Sequence, residues 1–152
     1  MEHIFRTETI VPAPLERVFP FFADAKNLER ITPPWLNFRI LSQSTPEIGE
    51  GTLFTYALRI KKFPVRWITR IEEWNPPFHF VDNQIKGPYR LWHHTHRFEA
   101  RGNQTWMEDV VRYEIPFGAL GRLLAGRMIA KDVAEIFECR RSEMLNYFRP
   151  TS

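Results

Sequence analysis

"LWHHTHRFEARGNQTWMEDVVRYEI", residues 91–115, reads as two strands joined by a tight turn, and the fold follows from that reading. Aromatic and β-branched residues alternate with polar ones on both sides of Gly102-Asn103, and such a pair between two runs of this kind marks a two-residue hairpin. The turn sets the pairing: Arg101 faces Gln104, Phe98 faces Met107, His96 faces Asp109, His94 faces Val111 and Trp92 faces Tyr113. Successive side chains of a strand point to opposite faces. Arg90, Trp92, His94, His96 and Phe98 therefore share one face, and Tyr89, Leu91, His93, Thr95 and Arg97 share the other. The first face, joined by Met107, Val111 and Tyr113, is the more apolar and is assigned to the interior. A slip of one residue would turn every side chain over.

The same signals extend outward from the hairpin. Residues 3–11, 37–41, 52–60, 65–74 and 78–85 each read as strands, separated by turn segments such as "PEIGEG" and "NPP". In 52–60, Phe54, Tyr56, Leu58 and Ile60 fall on one side. In 65–74, Trp67, Thr69 and Ile71 do the same. Between the first two strands, Pro14 suits a first helical turn, and Leu15, Val18, Phe19 and Phe22 follow at helical spacing. Pro20 keeps that helix short or kinked. Asp24 is placed to cap a second short helix running through Leu28 and Ile31, which Pro33 and Pro34 end. From Leu120 to Phe148 there is no proline, and Leu120, Leu124, Met128, Val133, Ile136, Phe137, Met144 and Phe148 mark one long amphipathic helix, bent near Gly126. The order is β-α-α-β6-α, an α+β arrangement. About seven antiparallel strands would form a strongly curved sheet wrapped around the long C-terminal helix, in one domain spanning 1–152.

Bulk properties agree with this reading. The chain has 152 residues, 43% hydrophobic and 26% charged, which is ordinary for a water-exposed domain with a real core. Aromatics reach 14%, which suggests an interior or a cavity built from large flat side chains. The net charge of +3 comes from basic residues interleaved with acidic ones, as in "AKDVAEIFECRRSE", so no phosphate-binding stripe stands out and nucleic acid is not expected. A lone Cys139 excludes an internal disulfide and any zinc ribbon and fits a cytoplasmic location. The opening "MEHIFRTETI" shows no signal-peptide pattern, and no run approaches the ~18 apolar residues of a membrane span.

Two stretches, "VPAPLERVFPFFADAKNLERITPPW" (11–35) and "GPYRLWHHTHRFEARGNQTWMEDVVRYEIPFG" (87–118), together with the element order, resemble the START-like or SRPBCC superfamily. The nearest likeness is to its bacterial ligand-binding group, related to polyketide cyclase/dehydrase-like proteins. The resemblance spans the whole chain and implies the helix-grip fold, with a cavity between sheet and helix that takes a lipid, sterol, hormone or polyketide. It implies no shared catalytic set and no cofactor, and oligomeric state stays open. A similar domain also occurs fused to epimerase-like proteins, which leaves an accessory module as one reading.

On this fold, His96 and Asp109 are cross-strand neighbours facing a cavity, their Cβ atoms roughly 5 Å apart. Three readings stand side by side. The first is a hydrogen-bonded polar pair, because buried polar groups need partners. The second is an acid/base dyad in which Asp109 orients His96, as in a cyclase or dehydratase. The third adds His94 to offer three zinc ligands, although no further ligand is evident. Parity and the resemblance together place Asp82, Gln84 and Arg90 inward on neighbouring strands. Arg90 would meet an anionic ligand group, or else pair with Asp82 or lie at an exposed strand end. Tyr56, Trp67, Phe80, Trp92 and Tyr113 supply apolar walls, with Met128, Ile136, Phe137 and Arg140 across from them on the helix. The expected partner is a hydrophobic or amphipathic small molecule, held mostly by the walls and oriented by the polar groups.

Overall fold

The computed structural model describes residues 1–149. Among the described residues the chain runs β1 (His3–Val11), α1 (Leu15–Phe22), α2 (Ala25–Ile31), a single 3-10 turn (Pro34–Leu36), β2 (Arg39–Gln43), β3 (Leu53–Ile60), β4 (Phe63–Asn75), β5 (His79–Lys86), β6 (Leu91–Arg101), β7 (Gln104–Glu114) and α3 (Gly118–Tyr147). The seven strands form one antiparallel, open, curved sheet in the order β1-β7-β6-β5-β4-β3-β2. The first strand thus closes back on the last, and the long helix lies against the concave face. This is the helix-grip arrangement.

Local chemistry accounts for the elements. Pro20 sits inside α1, which ends two residues later. Asp24 caps α2 by accepting from the Lys26 N–H at 3.0 Å. Gly102, at φ 63°, makes the β6–β7 turn, and Arg101 then pairs with Gln104. A bulge in β4 between Ile71 and Glu73 reverses the inward–outward alternation, so Trp74 joins Ile71 on the interior side.

The interior divides into two packed clusters. One joins α1 to the far ends of β5, β6 and β7 through Val18, Phe19, Phe80, Phe98, Met107 and Met144. The other gathers Val111, Tyr113, Ile115, Val133 and Phe137, with Phe5, Tyr89, Trp92 and Ile129 against it. Members of both line a cavity between sheet and helix.

The long helix departs from its expected stripe. Val133, Phe137, Met144 and the following Phe148 are buried, but Leu120, Leu124 and Met128 are exposed. The facing side explains the difference: in these first turns Gly121, Ala125 and Ile129 are half-buried and occupy the inward side of the helix, which leaves Leu120, Leu124 and Met128 on the outward side.

Candidate functional site

The cavity holds about 180 Å³ and is walled largely by aromatic and aliphatic side chains. Tyr56 and Leu58 come from β3, Trp67, Thr69 and Ile71 from β4, Phe80 and Asp82 from β5, Trp92, His94 and His96 from β6, and Met107 and Asp109 from β7. Ile136, Phe137 and Arg140 face them from α3, while Phe21, Leu28 and Leu36 close the end near α1 and α2. Trp67 and Trp92 meet edge to face at 5.3 Å.

One polar cluster interrupts these walls. His94 and His96 are buried, 2% and 8% exposed, and their rings stack at 3.6 Å. Phe80 covers the other face of His96 at 3.9 Å, and Phe137 meets His94 edge-on at 5.3 Å. The expected register holds, with His96 opposite Asp109. The hydrogen bonds, however, run diagonally. His96 Nε2 donates to Asp82 Oδ2 at 2.6 Å, and His94 Nε2 donates to Asp109 Oδ1 at 2.7 Å. Ionised carboxylates only accept, so Nε2 of each ring carries a proton. His96 Nδ1 lies 3.3 Å from Asp109 Oδ1, near enough for charge attraction, but it has no hydrogen-bond partner among the described residues. His96 and Asp109 thus stay in ion-pair contact, and the hydrogen bonds join them to two further groups, as His96–Asp82 and His94–Asp109.

Burial and partners set the charges. For His96, burial opposes the proton, but the Asp109 and Asp82 carboxylates outweigh it and lift its pKa above the ordinary histidine value. For His94, burial and the neighbouring His96 charge prevail over the two carboxylates and push its pKa down. Burial alone would raise Asp109 and Asp82. The histidines reverse this and hold both carboxyls below their usual range. Tyr56 stays a neutral phenol because burial and the Asp82 charge both raise its pKa. Arg140 lies over the Phe137 ring at 5.3 Å, and its Nε is buried without a hydrogen-bond partner among the described residues. Burial lowers its pKa, opposed by the Asp109 and Asp82 charges. With His96 protonated, two carboxylates are matched by one imidazolium and one guanidinium. The cluster thus presents a proton donor, His96, beside a neutral imidazole, His94. Among the described residues, ligand atoms of Asp82, His94 and His96 gather within 4.8 Å of one another and could hold a metal ion, a set in which Asp82 stands where Asp109 was expected.

Of the residues singled out from sequence, Tyr56, Trp67, Phe80, Asp82, Trp92, His94, His96, Asp109 and Phe137 line the cavity. Four do not. Arg90 is exposed, because β6 begins only at Leu91 and the residue belongs to the preceding loop. Gln84 turns to that same loop, donating to the Tyr89 carbonyl at 2.6 Å and accepting from the Tyr89 N–H at 3.2 Å. Tyr113 is buried against His3 at 5.2 Å, within the second packed cluster. Met128 lies on the outward side of α3 and is 48% exposed. Parity also misplaced Tyr89, which lines the cavity because it too precedes the strand whose alternation was extended to it. Trp74 was missed because nothing in the sequence announces the β4 bulge.

A family model described as polyketide cyclase/dehydrase and lipid transport matches residues 11–138. No curated protein matches the sequence. Among solved structures, the chain is similar to an aromatase/cyclase from a Streptomyces species, with a TM-score of 0.75 and 16% identity over 97% of this chain and 93% of that one. It is similar to a START superfamily protein from Mycobacterium smegmatis, with a TM-score of 0.73 and 14% identity over 96% and 97%. A protein from Thermus thermophilus gives a TM-score of 0.64 and 23% identity over 95% and 99%. At these identities the likenesses concern the fold.

Proposed function

The chain belongs to the polyketide cyclase/dehydrase and lipid-transport family, and on that footing we propose that it reversibly binds one hydrophobic or amphipathic small molecule, for transport or sequestration. The observation that carries the reading is an apolar cavity between sheet and helix with one buried polar cluster in its wall. A hole of about 150 Å³ lined by apolar side chains takes up benzene. At about 180 Å³ this cavity accommodates a ring-sized ligand. Tyr56, Trp67, Phe80, Trp92 and Phe137 supply the affinity. His96, Asp82 and Arg140 orient a polar group on the ligand. The free, half-buried Cys139 supports a reducing, cytoplasmic setting.

Titration with N-phenyl-1-naphthylamine, read by quenching of Trp67 and Trp92, tests this. One saturable site is expected. Leu58→Trp, which fills the cavity from β3, should weaken binding at least about tenfold while the far-UV spectrum is retained. A flat titration of the wild type, or equal affinity in the variant, contradicts the reading.

A second reading has its own observation. The two stacked imidazoles are pushed in opposite directions, His96 up and His94 down, and such divergence assigns an acid and a base. It supports a cyclase or dehydratase acting on an aromatic or polyketide-like substrate. Asp109→Asn separates the two readings. A binder keeps its affinity and shows no turnover in either form. An enzyme retains binding and loses about 10²–10⁴ in rate.

A further inference from the structure

The start of α3 carries its large apolar side chains outward. Phe117, Leu120, Leu123 and Leu124 are 85%, 62%, 83% and 76% exposed. Leu120, Leu124 and Met128 recur every fourth residue with Leu123 alongside, so they form one stripe. The opposite side of the helix packs inward through Ile129 and Val133. Phe117 also holds a left-handed φ of 68°, an unfavourable conformation for an aromatic residue, while its ring stays in the open. The tip of the β3–β4 hairpin lies beside this helix. Lys61 Nζ is 3.4 Å from Asp132 Oδ2, and Phe63, two residues on, is 72% exposed.

Cations outnumber carboxylates along the start of this helix. From Ile115 to Lys131 the sequence holds Arg122, Arg127 and Lys131 and no carboxylate. The hairpin adds Lys61 and Lys62; the Asp132 carboxylate is paired with Lys61 and Glu135 with Lys131, which leaves Lys62 and Arg127 as the exposed cations beside the stripe without an ion-pair partner among the described residues. A second copy seated on the same patch would set these cations against themselves, because a two-fold contact pairs like surface with like. The apolar side chains project outward from the helix, which a deformable surface accepts. Leucine and phenylalanine entering a headgroup layer, with lysine and arginine over lipid phosphates, is the arrangement by which interfacial helices hold to acidic membranes.

We propose that this end of the molecule docks on the surface of an anionic lipid bilayer, with Phe117, Leu120, Leu123 and Leu124 entering the headgroup layer and Lys62 and Arg127 resting on lipid phosphates. The contact is peripheral, and no helix among the described residues is long and apolar enough to cross a membrane. The proposal is independent of what the cavity binds.

Co-sedimentation of the full chain with vesicles of three parts dioleoyl phosphatidylcholine to one part dioleoyl phosphatidylglycerol, and with phosphatidylcholine vesicles alone, tests it. Binding to the anionic vesicles, weakened by salt and much lower on the neutral ones, is expected. Phe117→Asn/Leu123→Ser/Leu124→Ser should lower the partition about tenfold or more, and Lys62→Glu/Arg127→Glu should reduce it to the neutral-vesicle level. Both variants alter exposed positions and should melt as the wild type does; should the triple variant fold poorly, the charge-reversal pair decides alone. Lack of binding to anionic vesicles overturns the proposal, as does equal binding by the folded variants. Light scattering that shows a dimer dissolved by the triple substitution assigns the patch to a second copy and also overturns it.

Discussion

Replacing Asp82 by Asn tests the pairing inside the buried cluster. The side chain keeps its size and an acceptor oxygen toward His96 Nε2, 2.6 Å away, and loses its charge. A hydrogen bond to a charged group contributes about 1.5–3 kcal/mol and a neutral one about 0.5–1.5 kcal/mol. The difference, about 1–2 kcal/mol, favours the imidazolium in the wild type and vanishes in the variant. At about 1.4 kcal/mol per pKa unit, His96 should therefore titrate roughly one unit lower. Burial, which already opposes its charge, then keeps it there. The stability effect has a definite sign. A histidine whose pKa is raised in the folded state stabilises fully below its ordinary value of about 6.5. It loses that contribution as pH rises through the folded value. The wild type's advantage over Asp82→Asn should thus be largest in mildly acidic solution and shrink toward alkaline pH. Long-range 15N–1H correlation spectra of the histidine rings read the titration directly. An unchanged His96 titration in Asp82→Asn refutes the pairing, and a shift confined to Asp109→Asn restores the direct cross-strand dyad in its place.

Other perturbations have equally specific outcomes. Asp24→Ala removes the α2 cap at 3.0 Å and should cost about 1 kcal/mol, seen as a melting temperature lowered by about 2–4 °C. Phe98→Ala empties a side chain 4% exposed at the centre of the first cluster. It should cost about 3–5 kcal/mol in urea denaturation. Asp82 and Asp109 titrate below the usual carboxylate range in the folded state, so the unfolded chain takes up protons first as pH falls. Their stabilisation, present above about pH 4, should disappear below it. Asp82→Asn/Asp109→Asn should flatten that acid limb in denaturation curves taken across pH.

The sequence carried the architecture because its turn chemistry is local. Gly102-Asn103 fixes the β6–β7 register, and with it the positions of Trp92, His94, His96 and Asp109 on one face. The same alternation put Tyr56 and Trp67 on the cavity wall. It failed where alternation stops. Arg90 and Tyr89 precede β6, and Trp74 follows a bulge. The pairing of acids with imidazoles was hidden for another reason. His96 stands opposite Asp109 on β7, and His94 stands opposite Asp82 on β5. Each ring nevertheless leans along the strand to the diagonal carboxylate, within reach of long side chains. Register fixes which groups are near, and the lean of the side chains, set by stacking between Phe80 and Phe137, fixes which of them bond. Likewise, an apolar stripe shows that a helix has something to bury but not which side meets the sheet; along the first turns of α3 the inward side is Gly121, Ala125 and Ile129, and Leu120, Leu124 and Met128 stand in the open.

Native mass spectrometry of the freshly purified chain, before and after incubation with N-phenyl-1-naphthylamine, bears most directly on the cavity. A second species heavier than the bare chain by one small organic molecule, at a ratio of one to one and suppressed in Leu58→Trp, is the expected result. Bare chain alone under both conditions contradicts the account.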